Sequence, residues 1–342
     1  MKNSGGPKVI MITGAAGYVG AMLCQQFSKS PELEKIIAID MQPMPAILKD
    51  NKKIIWITAN LYQNVWKIPA LINKPEVVIH CAWQIKELYG KGDLQNKLNI
   101  DSSRVVFEFV FNNQFVKKLI YFSTIASYGA FPENEIEKPF NEGDDLREIE
   151  ARYGREKKDV EEMLWNLYKE NSSDKQIYVI RPASITGPRG RNLNSKKMGL
   201  LHLLKDVLPF IPYASNRWCR QYVHEDDITD AIAMFTFGQI KKGSTYEVYI
   251  LSSNDYVYAK DMATIFKKNV LYVPPFLVRI AFYLTWHLSG GKIPTSGGGW
   301  RSFCYPIPVG GSLISKTYGF EYTFNSREAL ELEEGRYTAD VD

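Results

Sequence analysis

The sequence predicts an α/β protein, a doubly wound parallel sheet joined to a smaller C-terminal lobe. Short apolar runs alternate with helical stretches through the first half. A glycine-rich octapeptide follows the first run, and proline- and glycine-rich pieces replace the alternation after about residue 182.

The expected strands are Val9 to Ile12, Ile36 to Ile39, Ile54 to Ile57, Val77 to His80, Leu119 to Phe122 and Tyr178 to Ile180. Near-continuous apolar runs of this length suit strands covered on both faces by helices. The first leads into TGAAGYVG, Thr13 to Gly20, and then into Val19, Met22, Leu23 and Phe27 at helical spacing. Glycines at such a turn let backbone amides approach a pyrophosphate at a helix N-terminus, although an ordinary strand-to-helix turn uses glycine too. The second strand favours the nucleotide. It ends in Asp40, twenty residues past Gly20, where a carboxylate can accept hydrogen bonds from an adenosine ribose. That carboxylate repels a 2′-phosphate, and Met41 and Gln42 supply no arginine to bind one, so NAD is expected rather than NADP.

Further along, Asp101 to Gln114 carries Val105, Val106, Phe107, Phe109, Val110 and Phe111, too many for one buried stripe. Such a helix either forms a subunit interface or lies wholly inside. The fifth strand ends in YFSTIASYG, Tyr121 to Gly129, and YGREK, Tyr153 to Lys157, opens a helix expected over Arg155 to Tyr168. Residues four apart share a helix face, so Tyr153 and Lys157 can enter one cleft. A phenol of pKa about 10 is a poor base at neutral pH. An ammonium and the positive nicotinamide ring nearby lower that value. Thr124 would then hold a substrate hydroxyl while Tyr153 takes its proton and hydride leaves for the cofactor. A second Tyr-x-x-x-Lys, Tyr256 to Lys260, sits in turn-like sequence beside Asn254-Asp255 and is set aside.

With 342 residues, 45% of them apolar, the chain can bury a substantial core. A net charge of +4 without a long basic run argues against nucleic acid, and Lys241-Lys242 and Lys267-Lys268 are read as surface. Cys24, Cys81, Cys219 and Cys304 are scattered without a C-x-x-C pair, which argues against a zinc site and a disulfide framework. No signal-peptide pattern is evident, so a cytoplasmic location is expected. The apolar stretch Pro275 to Leu288, interrupted by Arg279 and His287, is too short to span a bilayer. It is expected to be either a helix packed under a lid or a contact with a membrane surface or hydrophobic ligand.

Together these residues resemble the extended short-chain dehydrogenase/reductase superfamily, in particular its NAD-dependent epimerase/dehydratase family, in a UDP-glucose 4-epimerase-like form. The likeness rests on TGAAGYVG, VIHCAW, NIDSS from Asn99, STIASYG, VIRPASITGP, RQYVHEDDITDAI from Arg220, and SLISKTYGFEYTFNSREAL. It implies a Rossmann domain over 1–181, completed by about 224–250, and a substrate-binding lobe from 182–223 and 251–342. It implies catalytic Thr124, Tyr153 and Lys157. It places NAD against Gly14, Gly17, Tyr18, Val19, Gly20, Asp40, Asn60, Leu61, Cys81, Ala82, Trp83, Asn99, Ser123, Tyr153, Lys157 and Pro182. Substrate contacts fall to Thr124, Ser184, Arg220 and Arg301, with no metal, and the resemblance implies a homodimer.

Departures from the family pattern bear on substrate. Thr124 is followed by Ile125 and Ala126 where the 4,6-dehydratases read T-D-E, which disfavours dehydration. Ser184 replaces the asparagine usual in sugar-nucleotide epimerases, Asn60 an adenine-contacting aspartate, and Trp83 a small residue near the nicotinamide. The expected function is an NAD-dependent nucleotide-sugar 4-epimerase with Tyr153 as acid and base. The alternative is an NAD-dependent dehydrogenase or reductase of a hydroxysteroid-like or other hydrophobic alcohol or ketone, favoured by Ser184 and the Pro275 to Leu288 stretch. A non-catalytic NAD-binding scaffold sits poorly with an intact Thr124, Tyr153 and Lys157.

Overall fold

A computed structural model describes residues 6–171, 174–191, 200–239, 243 and 245–337; Lys241 and Lys242 lie outside the described residues. Seven strands form one sheet: β1 (Val9–Thr13), β2 (Lys35–Asp40), β3 (Ile54–Thr58), β4 (Val77–His80), β5 (Lys118–Phe122), β6 (Gln176–Pro182) and β7 (Thr245–Leu251). Their order is β7-β6-β5-β4-β1-β2-β3 and every pairing is parallel. The six expected strands are all present; β6 runs longer than the expected Tyr178 to Ile180, and all seven of its residues are buried.

The period of two along each strand sorts the core onto two faces. Ile10, Ile12, Ile36, Ala38, Ile79, Ile120, Phe122 and Ile180 pack beneath α1 (Tyr18–Phe27) and α4 (Glu225–Phe237), meeting Leu23, Phe27, Ile228, Ile232 and Phe235. Met11, Ile37, Ile39, Val78, Leu119, Tyr121 and Val179 face the other way, onto Phe107 and Val110 of α2 (Ser102–Asn112) and Val160 and Leu164 of α3 (Arg152–Glu170). The doubly apolar α2 thus finds its cover inside one chain: Val106, Phe107, Phe109, Val110 and Phe111 are all buried, and Arg104 and Asn112 take the solvent side. Packing against α3 and the sheet covers these side chains. A separate cluster in the second half gathers Leu204, Ile211, Trp218, Val257, Met262, Val278, Phe303 and Leu330.

One polar residue stitches the central strands together. His80, the last residue of β4 and 1% exposed, places Nδ1 2.7 Å from the Thr13 hydroxyl of β1 and Nε2 3.0 Å from the Ser103 hydroxyl of α2. Burial, reinforced by the charge on Lys157, lowers its pKa to about 3. The folded protein therefore keeps this imidazole neutral where the unfolded chain, with an ordinary value of about 6.5, takes up a proton. Its contribution to stability is complete above about pH 6.5 and is lost as pH falls from there toward 3. Chemical denaturation between those limits is expected to show stability falling with acid, with a shallower slope in His80→Gln; equal slopes would exclude His80 as a source.

Candidate active site

A cleft of about 700 Å³ opens at the carboxyl ends of β1 and β4, where the strand order reverses direction. Gly14 makes the approach of these two ends possible. It has φ +70°, and a Cβ there would come within 2.6 Å of the Ala82 backbone. The chain then turns so that the Gly17 amide donates to the Gly14 carbonyl at 3.0 Å, and α1 starts at Tyr18 with no side-chain cap and no acidic residue in its first turn. Its first amides are therefore directed at the cleft without an internal partner. Asp40 closes this end of the site: Oδ2 accepts from the Ala16 amide and Oδ1 from the Gln42 amide, both at 2.9 Å. The carboxylate keeps further lone pairs for a sugar hydroxyl. Asn60, also lining the cleft, holds a buried Oδ1 with no hydrogen-bond partner among the described residues. An uncapped helix N-terminus, a fixed carboxylate and an orphaned amide oxygen are what the pyrophosphate, ribose and adenine amino group of NAD require, so the residues present fit that cofactor.

The middle of the cleft is set by β5 and α3. Thr124 follows β5 and caps the short turn Ile125–Tyr128, its Oγ1 accepting from the Ala126 amide at 3.2 Å. Gly154 lets α3 press against that turn, since a Cβ there would lie 2.5 Å from the Ala126 carbonyl. This contact brings Tyr153 beside Thr124, near enough for Thr124 to act on the phenol's pKa. Glu148 holds the approach to the helix by accepting from the amides of Ile149, Glu150 and Ala151 at 2.8 to 2.9 Å.

Gly14, Gly17, Tyr18, Val19, Gly20, Asp40, Asn60, Leu61, Cys81, Ala82, Trp83, Thr124, Tyr153, Pro182, Ser184, Arg220 and Arg301 all line the cleft. Three residues expected there do not. Asn99 is fully buried, accepting from the Gln84 amide at 2.7 Å and donating to Glu156 at 2.6 Å, so it positions the segment after β4. Ser123 donates to Glu161, which in turn binds Arg181 of β6 through Nη2 at 2.6 Å. Lys157 is 3% exposed, donates to the Phe122 carbonyl, and carries its ammonium 3.7 Å from the centre of the Trp83 ring.

The indole, not the lysine, therefore faces the cleft at this point. Burial lowers the Lys157 pKa to about 7, with Cys81, Glu161 and Glu156 acting against that shift. The Tyr153 phenol moves opposite to the sequence expectation: burial raises its pKa, and Thr124 only partly offsets this. The ammonium that would acidify the phenol is turned toward a carbonyl and an indole instead.

Two arginines also line the cleft. Arg220 donates to the Ser302 carbonyl at 2.8 Å, Arg301 pairs with Glu150, and each keeps a buried Nε–H without a partner among the described residues. Sequence reasoning missed the wall formed by Gln84, Glu148, Ser302 and Tyr305, which no motif marks. Arg181 and Glu225 stand within the VIRPASITGP and RQYVHEDDITDAI motifs, which do not mark them individually. Glu225 accepts from the Tyr18 hydroxyl and from the Arg189 and Gly190 amides at 3.1 and 3.0 Å, tying the glycine turn to α4.

Residues 10–251 match the family model described as the NAD dependent epimerase/dehydratase family, well over half of the chain. The chain belongs to that family. Its fold is shared with the UDP-glucose 4-epimerase of Thermotoga maritima, solved with UDP-glucose, at TM-score 0.71, 19% identity and 97% and 98% of the two chains. It is shared with the Thermus thermophilus UDP-glucose 4-epimerase in complex with NAD, at 0.67, 18%, 97% and 98%. A third likeness is to the dTDP-glucose 4,6-dehydratase of Bacillus anthracis in complex with NAD, at 0.68, 16% and 94% of both chains. Uncharacterized proteins of Mycobacterium bovis and Mycobacterium tuberculosis are 23% identical over 239 residues, 66% of this chain and 58% of theirs. The chain thus spans less than two thirds of the length of these curated relatives.

The Trp83 cap on Lys157 has a direct chemical consequence. Reductive methylation is expected to modify Lys157 slowly in the unmutated protein and rapidly in Trp83→Ala, read by peptide mass spectrometry; equal rates would remove the indole as its cover.

Proposed function

We propose that this member of the NAD-dependent epimerase/dehydratase family is a nucleotide-sugar 4-epimerase in which Tyr153 is acid and base. The observation that carries the reading is Thr124 and Tyr153 side by side in the same cleft as the glycine turn and Asp40, which is also lined by two arginines whose buried Nε–H groups have no partner among the described residues. Guanidinium forks suit a diphosphate. NAD, when bound, supplies the acceptor and later the donor of the hydride by which a sugar C4 hydroxyl is transiently oxidised.

Thr124 and Tyr153 hold that hydroxyl between them. Tyr153 removes its proton in the forward step and returns it when the ring has turned over, so no net oxidation results. Lys157 supports this role only after its ammonium leaves the Trp83 ring, because an opposite charge near the phenol lowers a pKa that burial alone raises. In this reading, displacement of Trp83 accompanies cofactor engagement, and the cluster centred on Trp218 and Phe303 belongs to the substrate lobe.

A second reading has its own support. Ser184, exposed at the cleft, offers one hydroxyl where the family pattern has asparagine, and the apolar helix Pro275–Leu288 lies behind Gly299 of the cleft wall, where a Cβ would stand 3.7 Å from the Phe282 ring, as expected of a dehydrogenase acting on a hydrophobic alcohol. Incubation with UDP-glucose and UDP-galactose separates the two. Interconversion without net absorbance at the NADH band supports the epimerase; net NADH formed from an alcohol, with both sugars untouched, replaces it by the dehydrogenase. Tyr153→Phe is expected to lower turnover by about 10² to 10⁴-fold while NAD still co-elutes in gel filtration. Retained turnover in that variant would take Tyr153 out of the mechanism.

A further inference from the structure

Helix α5 (Pro275–Leu288) turns its apolar side outward. Val278, Phe282 and Trp286, four residues apart, form its inner face, with Phe282 4.9 Å from the Phe303 ring and Trp286 5.4 Å from Tyr89. Phe276 (62% exposed), Ile280 (50%), Tyr283 (64%), Leu284 (49%) and Leu288 (85%) stand on the other side. The strand just before it adds exposed Leu271 and Tyr272. Fourteen residues span about 21 Å, short of the roughly 30 Å of a bilayer's hydrocarbon core, and no helix among the described residues is long and apolar enough to cross a membrane.

The stretch of sequence that carries this face is one-sided in charge. Residues 262 to 320 contain no aspartate or glutamate, although the chain holds 38, and they carry Lys267, Lys268, Arg279, Lys292, Arg301 and Lys316. Arg301 is engaged by Glu150, and Lys268 by the Leu204 and Leu208 carbonyls. Lys267, Arg279 and Lys292 are exposed, Arg279 resting its guanidinium 5.8 Å from the Trp300 ring. A wide exposed apolar face on a stretch of chain that carries cations and no carboxylate of its own complements the headgroup region of an anionic bilayer.

We propose that α5 docks this protein on an anionic lipid surface. The helix lies in the plane of the interface, its exposed apolar side chains among the headgroups and the exposed cations of the stretch against lipid phosphates. Gly297 to Gly299, nine to eleven residues beyond α5, line the cleft, and a Cβ on Gly299 would stand 3.7 Å from Phe282 of the helix, so docking sets one rim of the cleft beside the bilayer. The surface is independent of which reaction the cleft performs.

Vesicle flotation of the full chain tests this. The protein is expected to float with phosphatidylcholine vesicles containing about one third phosphatidylglycerol, to remain below with phosphatidylcholine alone, and to detach as salt screens the headgroups. Ile280→Glu combined with Leu284→Glu alters exposed positions, and is expected to cut partitioning about tenfold or more while thermal unfolding and NAD retention stay unchanged. Absence of flotation with anionic vesicles, equal flotation with neutral ones, or undiminished flotation of the double variant each overturns the proposal. A vesicle-free dimer that the double variant dissociates would also overturn it, because a second copy would then cover the face.

Discussion

The site depends on one close approach. Gly14 lets the end of β1 meet the backbone of Ala82 beyond β4 at a distance no side chain allows. With that contact made, the sheet reverses direction at its centre and leaves a crevice, the uncapped amides of α1 face into it, and Asp40 reaches the turn from β2. His80 and Thr13 tie the same two strands from within, so the crevice rests on a neutral, fully satisfied imidazole rather than on loops.

A second constraint acts at the middle of the cleft. Burial works on Tyr153 and Lys157 in opposite electrical senses, raising the phenol's pKa and lowering the ammonium's, and so disfavours charge on both. In this arrangement the lysine is sheltered by the Trp83 indole and the phenol is left to Thr124. The pair shares a helix face, as four-residue spacing dictates, yet the two groups are not electrostatically joined. What would join them is movement of one aromatic ring, which places a residue that departs from the family pattern between the ammonium and the cleft. The buried Glu161–Arg181 pair behind them, with Ser123 attached, keeps α3 fixed to β6, so such movement is confined to the side chain.

The apolar helix α5 and the cleft share a border, and this links two surfaces of different chemistry. Arg220 and Arg301 line the cleft, while the exposed apolar helix belongs to a stretch, 262–320, that has no aspartate or glutamate of its own. The arrangement gives the second half of the chain a role beyond covering the sheet's ligand edge.

The sequence by itself determined the parallel sheet, its strands within a few residues, the glycine turn, and the placing of Asp40, Thr124 and Tyr153 along one cleft. These are local patterns: apolar runs buried on both faces, a turn that only glycine can make, and residues four apart on a helix. It left open whether α2 formed an interface, and packing against α3 and the sheet decided that one chain buries it. It could not foresee that Asn99 and Ser123 would be spent on Glu156 and Glu161, that Lys157 would sit beneath Trp83, or that Glu148 and Tyr305 would line the cleft. Only tertiary structure decided these, because a side chain's partner depends on which distant residue satisfies it at least cost, and that competition is invisible along the chain.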